Sequence, residues 1–261
     1  GIFATGLEFP LGERARLGVN YKFDATKMSV SNRTVLSGSA NTCTNTFQCL
    51  SDVLSDEIDR GRVKNSSVGY TYEWDSRRTS LDNDEGLRFL ISQDFGGLGG
   101  DDSFVKSKAK LIAQRRFFND EITLRATLAG GAVSFSGAGS RATDRWLFDE
   151  DIMRGFAADG IGPRDYDAGS NMNDALGGNY FATAKFEALF PLGLPEEYGL
   201  TGGVFYDIGN VWGLDQTNAN TLYESGSFRH VAGVSIFWET PIGPMRLNWS
   251  KALEKEVQDI D

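Results

Sequence analysis

The chain has 261 residues, with 36 acidic against 26 basic side chains, a formal net charge of −10, one histidine and two cysteines. That balance, with a pI near 4.7, argues against a nucleic-acid partner, because a phosphate-binding surface needs clustered basic residues. The mean hydropathy is −0.31, and no stretch approaches the roughly 18 uninterrupted apolar residues of a spanning helix, so a helical membrane protein is excluded. A β-barrel is not excluded, since only alternate residues of its strands face lipid.

The chain starts at Gly1 with neither methionine nor a signal-peptide pattern, which reads as mature protein or a piece of one. From there period two recurs almost everywhere, the mark of strands with two different faces. Strands are expected near 2–9, 14–24, 64–75, 86–94, 104–116, 121–133, 179–190, 199–211, 228–239 and 244–251. Leu17, Val19, Tyr21 and Phe23 share a face opposite Gly18, Asn20 and Lys22. Val68, Tyr70, Tyr72 and Trp74 alternate with Gly69, Thr71 and Glu73. Val105, Ala109 and Leu111 oppose a row of Lys106, Lys108 and Lys110, and Leu124, Ala126 and Leu128 oppose Arg125 and Thr127. Ala182, Ala184, Phe186 and Ala188 oppose Thr183, Lys185 and Glu187, while His230, Ala232, Val234, Ile236 and Trp238 oppose Arg229, Gly233 and Ser235. Between the first strands, Cys43 and Cys49 sit in the polar run NTCTNTFQC. A small disulfide-closed loop suits them in an oxidising compartment, two free thiols being the alternative. Zinc is not suggested, since a tetrahedral site needs four ligands and His230 is far away in sequence.

Alternation alone also fits a soluble sheet with one wet face, so the connections decide. Short turns carry Pro10-Leu11-Gly12, Phe118-Asn119-Asp120, Pro191-Leu192-Gly193 and Pro241-Ile242-Gly243, and they alternate with connections that are mostly long, polar and Gly-rich. The series is less regular in the middle, where the stretch near 95–103 is short for its class and that near 76–85 is long. Alternating long and short connections suit an outer-membrane barrel with long extracellular loops and short periplasmic turns. Phe9, Trp74, Phe117, Phe190, Trp212 and Trp238 fall near strand ends, where an interfacial aromatic girdle sits. The fold expected is therefore all-β, an antiparallel transmembrane β-barrel in contact with the lipid bilayer.

The longest loop, about 134–178, carries Met153-Arg154-Gly155-Phe156 and, downstream, IGPRD. With GGNYFATAKFEALFPL, FYDIGNVW and WETPIGPMRLNWSKAL following in fixed order, nearly the whole chain resembles the C-terminal barrel of the BamA family of outer-membrane protein assembly factors. The resemblance implies a barrel of about sixteen strands, of which about ten are present here, with the first strands and the closing strand missing. It also implies periplasmic POTRA domains, accessory lipoproteins, unfolded outer-membrane clients, and residence in a bacterial outer membrane. An open ten-strand sheet on its own would leave unpaired edges in lipid.

Glu187 and Asp207 fall on the polar phase of consecutive strands, so both carboxylates should face the lumen and need a cation. Arg154 is the candidate, since a planar guanidinium can donate in several fixed directions at once. In the family the arginine of this motif folds back with its loop onto the inner wall, which gives Arg154 a latch role with Glu187 and Asp207 as partners. Gly155 would allow a tight turn or close approach to the wall, and Phe156 would pack beside it. Lys106, Lys108, Lys110 and Arg125 read as a solvated lumen face. His230 shares the lipid-facing phase and reads as an interface residue. No nucleophile has a positioned base, so no enzyme is expected; no metal or cofactor site is expected either, and FGGLGGDD reads as a loop tip. The function expected is folding and insertion of β-barrel clients by strand pairing at a lateral opening. Alternatives are a TamA-like factor, a two-partner secretion translocator of the FhaC type, and a passive porin.

Overall fold

A computed structural model describes residues 1–29, 50–79, 85–150, 152–168, 172–223 and 226–260. Ten long strands form one antiparallel sheet: β1 (Ile2–Pro10), β2 (Ala15–Lys27), β3 (Arg62–Asp75), β4 (Gly86–Gly96), β5 (Ser103–Phe117), β6 (Ile122–Ser136), β9 (Tyr180–Pro191), β10 (Leu200–Trp212), β12 (Arg229–Thr240) and β13 (Gly243–Glu254). They pair in that order with each strand beside its neighbour in sequence, and the sheet is not closed: β1 and β13 each keep one edge unpaired among the described residues. All ten match the strands expected from the alternation, within a few residues at each end.

The register turns alternation into two surfaces. One row runs Phe9, Leu17, Tyr72, Ile91, Ala109 across five strands, and Leu111, Leu128, Ala184 and Ile208 continue another. These rows form the outer, apolar face; Leu7, Val19, Val68, Leu128, Val204, Val234 and Trp249 lie on it with their side chains exposed, as lipid contact requires. The opposite rows are polar, as in Glu8, Gly18, Thr71, Ser92, Lys108, and line the lumen.

Connections sort by end. At one end lie 11–14, 118–121, 192–199 and 241–242, with the longer 76–85; at the other lie 28–61, 137–179, 213–228 and the short 97–102. The last is short for a local reason: it leans back along β3, where the N–H groups of Gly97 and Leu98 donate to the Ser66 carbonyl and that of Asp101 to the Lys64 carbonyl. In the 118–121 turn, Phe118, Asn119 and Asp120 all take positive φ (53°, 55° and 68°), which reverses the chain in four residues.

The long connections build a cap that period two did not foretell. It contains a helix, α1 (Asp52–Asp59), and a small sheet of β7 (Arg164–Asp167), β8 (Met172–Ala175) and β11 (Thr221–Leu222), ordered β11-β7-β8. The Ser51 hydroxyl caps α1 by accepting from the N–H groups of Val53 and Leu54, and it donates to Asp165 of β7. Buried Arg145 and Glu57 lie 2.6 Å apart, and Arg60 Nη2 donates to both carboxylate oxygens of Asp102, so the cap is held by paired charges. Cys43 and Cys49 lie outside the described residues.

Candidate functional site in the lumen

Residues 137–179 leave β6 and return to β9, so β6 runs three residues further than expected and the loop starts later. Trp146 and Gly178 exchange backbone hydrogen bonds of 2.8 and 2.9 Å, which closes the base of the loop beside the wall. Asp149 then accepts from the Ile152 N–H with its side chain (3.0 Å), starting a single tight turn. That turn delivers Met153, Arg154, Gly155 and Phe156 onto the lumen face of β9, β10 and β12.

Met153 and Phe156 are buried in a cluster with Phe148, Ile152, Ile161, Phe181, Phe205, Val211 and Val231. Phe148 and Phe156 meet edge to face, with centroids 6.0 Å apart. Gly155 has φ +89°, and a Cβ there would stand 2.8 Å from Val231 Cγ1 and 3.1 Å from Ser250 Oγ. Both the backbone sign and the space therefore demand glycine.

Arg154 occupies the centre. Its Nε and Nη2 donate to Asp207 Oδ2 (2.7 Å) and Oδ1 (2.6 Å), a two-pronged pair, and Nη1 donates to Glu187 Oε1 at 2.6 Å. Its backbone N–H also reaches Asp207 Oδ2, at 3.2 Å. The register explains how one cation serves both acids: Phe205 is paired with Glu187 and Asp207 with Lys185, so the two carboxylates are diagonal neighbours across β9 and β10. The guanidinium lies over the Phe205 ring, its central carbon 3.7 Å from the ring centroid. Gly233, paired with Phe205, leaves the space that ring fills: a Cβ there would come within 2.4 Å of it. Burial pulls the Arg154 guanidinium down, but the hydrogen bonds and charges of Asp207 and Glu187 outweigh it and hold its pKa above the ordinary arginine value.

Two more cations converge on Glu187. Arg246 of β13 hydrogen-bonds its Oε1, and Arg125 of β6 stands 3.9 Å from its Oε2. Alternation puts Arg125 and Gly233 on the lumen phase but gives neither a place at this site, and it does not single out Arg246 or Phe205, although all four share that phase. Arg125 and Lys106 need correction, because they are not merely solvated. Arg125 Nε donates to Gln114, and Lys106 Nζ donates to the Asp144 carbonyl while lying 4.3 Å over Trp146, since the loop reaches this side of the lumen too. The loop is further tied to β9 by Thr183 Oγ1 donating to the Ile152 carbonyl (2.7 Å) and Lys185 Nζ to the Glu150 carbonyl (3.1 Å). His230 lies on the outer face with Nδ1 2.6 Å from Tyr206 Oη, away from these groups.

Comparison with known proteins decides the family, because the Omp85 superfamily domain matches residues 2–261. The chain belongs to the Omp85 superfamily. Within it, 169 residues are 36% identical to the outer membrane protein assembly factor BamA of Neorickettsia risticii, covering 64% of this chain and 22% of that protein. BamA of Neisseria meningitidis is 26% identical over 51% of this chain and 20% of its own length, and the sorting and assembly machinery component 50 homolog of Xenopus tropicalis is 29% identical over 60% and 33%. The chain thus spans about a fifth to a third of the length of these relatives. The crystal structure of Haemophilus ducreyi BamA lacking POTRA domains 1–3 superposes with a TM-score of 0.73 at 17% identity, over 98% of this chain and 51% of that one, and shares its fold. Omp85 membership and the apolar outer rows place the sheet in an outer membrane, as part of a β-barrel wall.

Proposed function

We propose that this chain is the barrel wall of a bacterial outer-membrane assembly factor, which folds and inserts β-barrel clients with the Arg154 loop latched inside its lumen. The observation that carries this is the shared guanidinium: one loop arginine bridges carboxylates on two adjacent strands, in a chain whose relatives are named as assembly factors. A passive pore has no need of a buried ion cluster to fix a loop, in which displacing Arg154 strands the buried charge of Asp207. An assembly factor has such a need, since its wall must hold shape while one edge engages a client. Clients would enter by pairing a strand with an exposed sheet edge at a lateral opening, with backbone hydrogen bonds and apolar burial as the driving force. No covalent chemistry, nucleotide or cofactor is called for, and accessory lipoproteins would bind parts of the full-length protein beyond this wall.

The test is reconstitution of the full-length parent protein in liposomes with an urea-denatured outer-membrane client, whose folding is followed by heat-modifiable gel mobility. Client folding faster than in empty liposomes is expected. No acceleration, with solute leakage through the protein, would assign the chain to a transport pore instead.

A further inference from the structure

The Arg154 loop is held at a second point, and nothing in the latch uses it. Arg229 opens β12 and is fully buried. Its Nε and Nη2 donate to Asp259 Oδ2 (2.8 Å) and Oδ1 (3.0 Å), and its Nη1 to Asn210 Oδ1 (2.8 Å) and the Ser227 carbonyl (2.6 Å). Asp259 lies in the segment that follows β13, the edge strand of the sheet. That segment is folded back on itself, because Asp259 Oδ2 also accepts from the Glu256 N–H (2.7 Å), and Glu256 Oε1 accepts from Ser227 Oγ (2.7 Å). The next residue then pairs with the loop: Ile260 N–H donates to the Gly160 carbonyl (3.0 Å) and the Ala157 N–H donates to the Ile260 carbonyl (2.8 Å). Ala157 directly follows Phe156 of the latch motif.

The geometry points to Arg229 and Asp259 as positioning residues, a second anchor that fixes residues 157–160 and so holds the Arg154 loop against the wall from the segment that follows β13. A surface pair could do little here, since exposed ion pairs contribute weakly and tolerate loss. This pair is buried on both sides and two-pronged, so removing either partner leaves an uncompensated charge and the segment must leave its seat. When it leaves, the two backbone hydrogen bonds to the loop go with it. The anchor also links two places that the latch alone does not: a displacement of the chain just after β13 is transmitted to the loop, so the segment that follows β13 and the seating of Arg154 move together. This rests on the latch reading of Arg154, and the experiment keeps the two separable.

Met153 is wholly buried in the latched loop, within the apolar cluster, which makes position 153 a reporter. In the full-length parent protein with other cysteines removed, Met153→Cys is reacted in proteoliposomes with a membrane-impermeant maleimide. Asp259→Asn is expected to raise the labelling rate about tenfold, and Arg229→Lys, which keeps the charge, less. Arg60→Gln breaks the Asp102 pair elsewhere in the cap and is expected to leave labelling unchanged. Trypsin cleavage after Lys255 reports release of the segment itself. Faster cleavage in Asp259→Asn with unchanged labelling at 153 overturns the anchor, as does an equal rise in the Arg60→Gln control. A rise in Asp259→Asn with none in Arg154→Ala supports the anchor and removes the latch.

Discussion

The lumen faces of β4–β5 and of β9–β10 are written in the same alternating code, yet they end in opposite states. On β5, Lys108 and Lys110 stay exposed on the lumen face, and the strand has a single buried residue, Gln114. On β10, Gly203, Phe205, Asp207 and Gly209 occupy the equivalent phase and all are buried. The strands do not differ in period or pairing; they differ in what covers them. The latch motif lies on β9, β10 and β12, and there a polar-phase residue becomes a buried charge that must be matched, whereas on β5 the loop touches Lys106 and Lys108 through Trp146 and the Asp144 carbonyl and leaves both lysines at least partly exposed. Alternation assigns the face, and the loop assigns the energy.

That contrast is broken most forcefully at Arg154. Arg154→Ala leaves Asp207 buried without its cation and should cost about 3–5 kcal/mol, seen as a lower temperature for loss of the folded gel form and as slower client folding. Asp207→Asn keeps shape but surrenders the charge, and a smaller loss of the same sign is expected. Gly155→Ala meets both a positive φ and Val231, so about 1–3 kcal/mol of destabilisation is expected in the same gel assay. Lys108→Ala, at an exposed position of the wall, should stay within about 0.5 kcal/mol. If Lys108→Ala and Arg154→Ala proved equally mild, the difference between the two walls would be one of appearance only.

The smallest expected effect concerns pH. Asp159, in the turn after the motif, has its carboxyl raised, mainly by burial, with Asp149 adding to the rise and Arg164 opposing it. A raised folded-state pKa gives stability that is complete below the ordinary aspartate value and is lost as pH climbs through the folded one. Asp159→Asn removes that dependence; its backbone carbonyl still accepts from Arg164, and asparagine tolerates the φ of +55°. The variant should therefore gain on the parent as pH rises across that window, measured as the difference in unfolding midpoint at several pH values.

Much of this was legible in the sequence. Ten strands, their faces and their order follow from period two and turn residues such as Pro191-Leu192-Gly193, because a strand's faces are fixed locally. Arg154, Glu187 and Asp207 could be grouped because the motif and the lumen phase are both written in the chain. Arg246 could not, since its reach to Glu187 depends on the curvature of the sheet across the two strands that lie between them. The cap was illegible for a similar reason: α1 and β7 gain their stability from contacts such as Arg145–Glu57 and Ser51–Asp165, between residues far apart in sequence. The local signal that could have pointed to the helix is Ser51 before Asp52, a helix-capping pattern.

The most direct test of the latch is a double-mutant cycle of Arg154→Ala and Asp207→Ala in the full-length protein, read as the rate of client folding in liposomes. If the two groups act as one unit, the double variant should be no slower than the more impaired single variant, because the second substitution removes a partner already lost. Losses that simply add would mean that Arg154 and Asp207 act separately, and the latch would be contradicted.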